Sequence, residues 1–242
     1  MRVVVIPCLS DNFAYMIIAG GSAAVIDPSE AEPIEEVLRK EGVALAAIWL
    51  THHHWDHVGG VAKLVDAHPG IAVVISKIDA EKLKEDTRRC VTRLVEEHDT
   101  VSLGNVSAHV IHNPGHTLGA ISFYFPNHPL GRGSVFTGDT LFAAGCGRMF
   151  EGTPEMFYAA LQKLAALPDR TEVFFGHEYT AANLKFAAVA EPHNGAVQET
   201  LRTLKTPSTP STIASERATN PFIRADNATE FARRREWKNS FK

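Results

Sequence analysis

Cysteine is scarce in this chain, with three in 242 residues: Cys8, Cys90 and Cys146. They are odd in number and widely spaced, so no disulfide framework is expected, and the count suits a reducing compartment. Long hydrophobic runs are missing as well. No stretch approaches the roughly 20 apolar residues that a bilayer span needs. The start, Met1-Arg2-Val3-Val4-Val5-Ile6-Pro7, is too short an apolar run for a secretory signal and reads as a first strand. A cytoplasmic location and no membrane partner are therefore expected. Positive charge is not in excess: 24 Lys and Arg against 28 Asp and Glu leave a net −4, which argues against nucleic acid as the main partner. The remaining composition, 45% hydrophobic and 21% charged, is ordinary for a globular protein. A chain this long buries roughly 70–75% of its unfolded surface and needs no covalent staples.

What is present is a crowd of metal-binding side chains. Thr51-His52-His53-His54-Trp55-Asp56-His57 places His52, His54, Asp56 and His57 within six positions, directly after the apolar run Ala44 to Leu50. The run reads as a buried strand, which would set the cluster on a loop held by a rigid scaffold. Imidazoles and a carboxylate without a nearby thiolate suit zinc, iron or manganese. Four such groups so close would repel one another if protonated, which favours metal over a structural role. His53 and Trp55 alternate with the ligands and are expected to point away, into packing. Three more polar residues stand at strand ends behind glycine: His116 after Pro114-Gly115, Asp139 after Gly138, and His177 after Gly176. Sheets gather their strand ends at one rim, so all seven can converge. Seven N/O ligands exceed one tetrahedral zinc and suit two ions sharing a carboxylate. The division expected is His52, His54 and His116 on one ion, Asp56, His57 and His177 on the other, with Asp139 bridging. Two ions so placed hold a hydroxide at neutral pH, because coordination lowers the pKa of water from about 15.7 towards about 7. His68, His98, His109, His112, His128 and His193 have no ligand context. Cys146 reads as a small buried residue.

Along the chain, residues 2–7, 13–19 and 23–27 read as successive antiparallel strands. Helix follows over 30–40, strand over 44–50, helix over 60–67 and strand over 71–75; 76–98 is ambiguous. Strands flank the Leu103-Gly104-Asn105 turn, and further strands are expected at 120–125, 133–138 and 172–175, with an amphipathic helix over 154–166 between the last two. After Gly176 the pattern turns helical: 180–190, 194–205 and about 226–237, with a proline-bearing linker at 206–212. The fold class expected is a layered α/β (α+β) domain over 1–176 with a helical cap over 177–242.

The ligand spacing, with His116, Asp139 and His177 downstream, resembles the metallo-β-lactamase superfamily. The wider pattern is more specific. Ser10-Asp11-Asn12, Thr137-Gly138-Asp139-Thr140-Leu141-Phe142, Ala144-Gly145-Cys146-Gly147-Arg148, Gly176-His177-Glu178-Tyr179-Thr180, Asn183-Leu184-Lys185-Phe186-Ala187, Pro210-Ser211-Thr212, Asn220-Pro221-Phe222-Ile223-Arg224 and the ending Arg235-x-x-Lys238-Asn239-x-Phe241 are similar to the glyoxalase II (hydroxyacylglutathione hydrolase) family over nearly the whole length. That resemblance implies a four-layer αββα sandwich with a C-terminal α-helical domain. It implies hydrolysis of S-2-hydroxyacylglutathione, typically S-D-lactoylglutathione, to glutathione and a 2-hydroxy acid by a metal-bridging hydroxide. Two divalent ions are implied, zinc foremost, with iron or manganese as alternatives. The seven ligands carry over, Asp56 and Asp139 as the catalytic carboxylates, with substrate contacts at Arg148, Phe150, His177, Tyr179, Arg235 and Lys238. Phe150 stands where many members have tyrosine, which removes one hydroxyl contact. The terminal Lys-Asp-x-Phe reads Lys238-Asn239-Ser240-Phe241, and the cap is short around 225–231. Without the resemblance, Arg233-Arg234-Arg235 with Lys238 would read as a solvated basic helix end, favoured by the helix dipole. The partner expected is a small-molecule glutathione thioester, taken by a monomeric chain. Rival readings are a mononuclear-iron glutathione-persulfide dioxygenase, and a non-enzymatic protein binding metal or nucleic acid.

Overall fold

The computed structural model describes residues 1–126 and 132–241; His128 lies outside them. Strands β1 to β6 (Arg2–Cys8, Asn12–Ala19, Ser22–Ile26, Ala44–Trp49, Ala72–Ser76 and Arg93–Val95) form one sheet in chain order. Its first three strands are antiparallel, and β3 to β6 run parallel. The parallel strands are joined by helices α1 (Ala31–Glu41), α2 (Trp55–Val58) and α3 (Val61–Ala67), then by α4 (Lys77–Ala80) and α5 (Glu85–Arg88). A second sheet holds β7 (Thr100–Leu103), β8 (Val106–His112), β9 (Ile121–Phe125) and β10 (Ser134–Phe136). After it come a two-residue hairpin, β11 (Leu141–Phe142) with β12 (Gly145–Cys146), and helix α6 (Pro154–Ala165). Strand β13 (Glu172–Phe174) then rejoins the second sheet. The tail contains α7 (Thr180–Ala190), α8 (Gly195–Thr203), β14 (Ser211–Thr212), α9 (Ile213–Thr219) and α10 (Ala228–Ser240).

The period of two along the strands builds the layers. On β2, Phe13, Tyr15 and Ile17 belong to the core between the sheets, while Ala14 and Met16 belong to the core under Ile34 and Leu38 of α1 and Leu64 of α3. Trp49 of β4 bridges the sheets, its ring 5.6 Å from Phe123 and 6.0 Å from Phe125 of β9. Phe157, Leu161 and Leu164 of α6 join the inner core, and Phe157 meets Phe231 of α10 at 5.5 Å. Each such side chain contributes about 1.5–3 kcal/mol by leaving water. The order of layers is αββα, with a C-terminal helical region against the second sheet's helix. Among the described residues no helix is long and apolar enough to cross a membrane.

Several expectations change. Ser211 and Thr212, read as linker, pair antiparallel with Val173 and Glu172 and extend the second sheet. The prolines there forbid helix but not an edge strand. The following helix α9 was not anticipated, and the last helix runs later than expected, from Ala228 to Ser240. The ambiguous 76–98 stretch resolves into two single-turn helices and the edge strand β6. Trp55 does not pack into the core: it is 66% exposed, at the first position of the four-residue helix α2.

Candidate active site

Strand direction explains why distant residues meet. Strands β3 and β4 are parallel, so Asp27 and the Thr51–His57 loop leave the first sheet at the same rim. In the second sheet β8 and β10 both run antiparallel to β9, and β13 runs parallel to β10. The loops after β8, β10 and β13 therefore emerge together, carrying His116, Asp139 and His177. The backbones there approach too closely for side chains. Gly138 has φ +50, and a Cβ on it would lie 2.2 Å from the Thr51 hydroxyl; one on Gly176 would lie 2.3 Å from Asp139 Oδ1. Glycine alone fits both constraints.

All seven expected ligands converge. His54 Nδ1 lies 3.1 Å from His52 Nε2 and 2.9 Å from His116 Nε2. His177 Nε2 lies 3.3 Å from His57 Nε2 and 3.4 Å from Asp56 Oδ2. These triads, His52-His54-His116 and Asp56-His57-His177, each bring their ligand atoms within 4.8 Å of one another. Asp139 stands between them, with Oδ1 3.3 Å from His57 and Oδ2 3.5 Å from His116 and 3.3 Å from His177.

Outer partners fix which nitrogen faces inward. His57 Nδ1 lies 3.0 Å from Asp27 Oδ2, His177 Nδ1 2.8 Å from Asp11 Oδ1, and His116 Nδ1 2.8 Å from the Arg148 carbonyl. The Thr51 hydroxyl donates to Asp27 at 2.6 Å, so it is left to accept from His52 Nδ1 at 3.0 Å. Each of these imidazoles thus donates outward through Nδ1 and turns Nε2 towards its neighbours. Such acceptors set the tautomer of metal-binding histidines. Asp139 Oδ1 is buried without a hydrogen-bond partner. Ring nitrogens crowded together beside an orphaned carboxylate oxygen make a donor set that fits cations. Asp27 also groups with His52 and His57, but its two oxygens are already engaged by Thr51 and His57, so it orients rather than ligates.

The two triads differ in proton affinity. Burial, aided by the other imidazoles, holds His52 well below the usual histidine range and pulls His54 down to about 4. Burial also opposes charge on His57 and His177, yet Asp139 outweighs it: His57 is raised well above its usual range and His177 to about 10. Burial works against the Asp139 carboxylate too, and the adjoining His57 and His177 overcome it, holding the acid well below its usual range.

A cavity of about 600 Å³ opens over this floor. Its other wall carries Arg148, Arg235 and Lys238, with Tyr179 and Phe150 at the rim. Tyr179 stacks on His177 at 4.8 Å, and burial pushes its hydroxyl up to about 12. Phe150, 61% exposed, sets its ring against His54 at 5.6 Å and His116 at 5.3 Å. Arg235 is buried. Its Nη1 donates to the carbonyls of Cys146 at 2.8 Å and Gly147 at 3.3 Å, while Nε has no partner. Lys238 donates to the Ala182 carbonyl at 3.2 Å and lies over the Phe186 and Phe241 rings. Its neighbours Arg233 and Arg234 are paired with Glu230, and Arg234 also with Glu191. The basic helix end is therefore two ion-paired arginines plus a pair of cations, Arg235 and Lys238, turned to the cavity with no carboxylate among the described residues.

Sequence reasoning missed several supports. Asp27 leaves β3 at φ +50 and ties Thr51 and His57 together; an Asp-Pro after a strand was the only local sign. Asn12 donates to Asp56 Oδ2 at 3.3 Å and to its carbonyl at 3.0 Å. Asp79, fully buried, accepts from the His53 amide at 3.0 Å, the Thr117 hydroxyl at 2.8 Å and the Gly119 amide at 2.9 Å, so it joins the loop of His52 and His54 to that of His116. His53, expected in packing, is half-buried with Nδ1 3.0 Å from Asp79.

Residues 10–177 match the metallo-β-lactamase superfamily, and residues 178–241 match the hydroxyacylglutathione hydrolase C-terminus. A hydroxyacylglutathione hydrolase of Synechococcus sp. is 42% identical, covering 94% of this chain and 90% of its own. That of Gloeobacter violaceus is 45% identical over 89% and 85%, and that of Vibrio campbellii 40% over 98% of both. Among solved structures, ETHE1 from Myxococcus xanthus superposes with a TM-score of 0.75 at 25% identity, covering 100% of this chain and 93% of that one. TTHA1623 in a di-iron-bound form gives 0.65 at 28%, covering 92% and 100%. With the αββα order, the paired ligand triads and likeness running through the tail, the chain belongs to the hydroxyacylglutathione hydrolase (glyoxalase II) family of the metallo-β-lactamase superfamily.

Proposed function

We propose that this protein hydrolyses the thioester of S-2-hydroxyacylglutathione, S-D-lactoylglutathione foremost, to glutathione and a 2-hydroxy acid such as D-lactate. The observation that carries the reading is the pairing of two ligand triads with unpaired cations in one cavity. Glutathione presents two carboxylates, and a buried Arg235 with no anion beside it is costly unless a ligand supplies one.

His52, His54 and His116 would hold one divalent ion, Asp56, His57 and His177 a second, with Asp139 shared. When bound, the ions supply a water ionised near neutral pH and a Lewis acid for the thioester carbonyl. The chain's own residues do the rest. Asp27, Asp11 and the Arg148 carbonyl hold the outward imidazole protons and so turn Nε2 of each ring to the centre. Arg148, Arg235 and Lys238 hold the tripeptide and so place the thioester over the floor. Its thiol has a pKa near 8.5 and leaves as thiolate with little need of a general acid, which suits a site where the Nδ1–H groups of His52, His57, His116 and His177 are engaged outward. Phe150 offers a ring face and no hydroxyl to the acyl end.

Zinc leads this reading, with iron or manganese compatible with the mixed N/O donors. The related di-iron-bound structure supports a count of two. The completeness of the Asp56-His57-His177 triad speaks against a mononuclear-iron persulfide dioxygenase. The protein is read as a monomeric cytoplasmic enzyme acting on a small molecule, with no nucleic-acid or membrane partner. Metal analysis of the purified protein beside an assay with S-D-lactoylglutathione tests the proposal. Oxygen uptake with glutathione persulfide and no thioesterase activity would overturn it.

A further inference from the structure

The hairpin β11–β12 lies between the ligand floor and the cationic wall, and its strands pair over only two residues each. Its turn residue Ala144 sits at φ +52, a region that disfavours a side chain. A two-stranded ribbon this short does not hold itself.

The holding groups come from the tail. Glu216 of α9, 1% exposed, accepts from the Ala144 amide at 2.8 Å, from Asn220 Nδ2 at 3.0 Å and from the Ser211 hydroxyl. Asn220, fully buried, donates to the carbonyls of Phe142 at 3.2 Å and Gly145 at 2.8 Å. Asn183 of α7 donates to the Ala143 carbonyl at 3.2 Å. Every residue from Phe142 to Gly145 thus has a backbone group bonded to a tail side chain. The hairpin then hands this placement on. The Cys146 and Gly147 carbonyls receive Arg235, and the Arg148 carbonyl receives His116 Nδ1.

We propose that Glu216 and Asn220 are positioning residues: a buried clamp through which the tail sets the hairpin, and through the hairpin both the Arg235 cation and the His116 imidazole. The inference rests on reading the cavity as the thioester site. It assigns the tail a second task beside contacting substrate, that of holding one edge of the metal floor in place.

The test uses the full-length metal-loaded protein with Glu216→Ala and the conservative Glu216→Gln. Hydrogen exchange is read on peptides covering 141–148 and on the strands of the first sheet, and KM and kcat on S-D-lactoylglutathione. Loss of the buried acceptor of the Ala144 amide predicts exchange in 141–148 faster by about tenfold with the first sheet unchanged. KM rises by about tenfold with a smaller fall in kcat, and Glu216→Gln lies between Glu216→Ala and wild type. Should Glu216→Ala fail to fold, Glu216→Gln carries both readings at a smaller amplitude. A folded variant with wild-type exchange and KM overturns the clamp. So does exchange loosened evenly through the tail, which marks a merely structural residue. A wild-type protein inert towards the thioester would fall on the functional proposal instead, and the exchange readout would still decide the clamp.

Discussion

The floor and the wall of the cavity are built on opposite principles. In the floor, each of the imidazoles of His52, His57, His116 and His177 is held from behind by an acceptor, and what faces inward is ring nitrogen and carboxylate. In the wall, Arg235 and Lys238 find, among the described residues, carbonyls, an amide oxygen, the Cys146 sulfur and aromatic faces. One surface waits for cations and the other for anions. Under the proposed function the difference separates chemistry from recognition, so damage to the floor should be read in metal content and turnover, and damage to the wall in KM.

Substitutions can break that contrast. Asp56→Ala should cut metal content from about two ions to about one per chain and abolish most turnover, because the second triad loses its carboxylate. Elemental analysis beside the thioester assay checks it, and full activity with one ion would end the binuclear reading. Arg235→Ala should raise KM by roughly 10- to 150-fold, the worth of one charge-assisted hydrogen bond, while metal content stays put. An unchanged KM would show that the wall does not bind the tripeptide. Asp27→Asn sharpens the comparison from behind the floor. Losing the carboxylate that orients His57 should lower metal affinity or activity by about 10- to 100-fold, with KM little altered. Chelator competition measures this.

The smallest effect concerns pH and stability. Burial raises the Glu216 acid from 4.5 to about 7. The folded state therefore keeps its proton over a range where the unfolded chain has lost it. The stabilisation linked to this group is complete below pH 4.5 and is lost as pH rises through about 7. Glu216→Gln cannot titrate, so its chemical-denaturation midpoint should fall less than that of wild type between those pH values. Parallel curves for the two proteins would contradict the raised acid.

The converging donors were legible because their chemistry is local: spacing put four of them on one loop, and glycine before His116, Asp139 and His177 marked strand ends. The strands were legible as short apolar runs between turn residues, as in residues 13–19 between Ser10-Asp11-Asn12 and Gly20-Gly21-Ser22. Trp55 was misread because alternation holds for an extended chain, and the loop instead coils into α2. Ser211 and Thr212 looked like linker because two-residue edge strands carry no period. Asp79 and Glu216 gave no sign, Asp27 only an Asp-Pro after a strand and Asn220 only its place in a family-like segment, since each is an ordinary polar residue until a backbone group or imidazole from a remote segment arrives beside it.

By itself the sequence determined the donor types, the hydrophobic periods that stack two sheets between helices, and the surplus of cations near the chain's end, because these depend on residue identity and short spacing. Only the tertiary structure decided which nitrogen of each histidine faces the centre, which arginine of three is left without an anion, and which tail residues grip the hairpin. Those outcomes depend on hydrogen-bond partners brought in from far along the chain, and burial makes each such pairing obligatory.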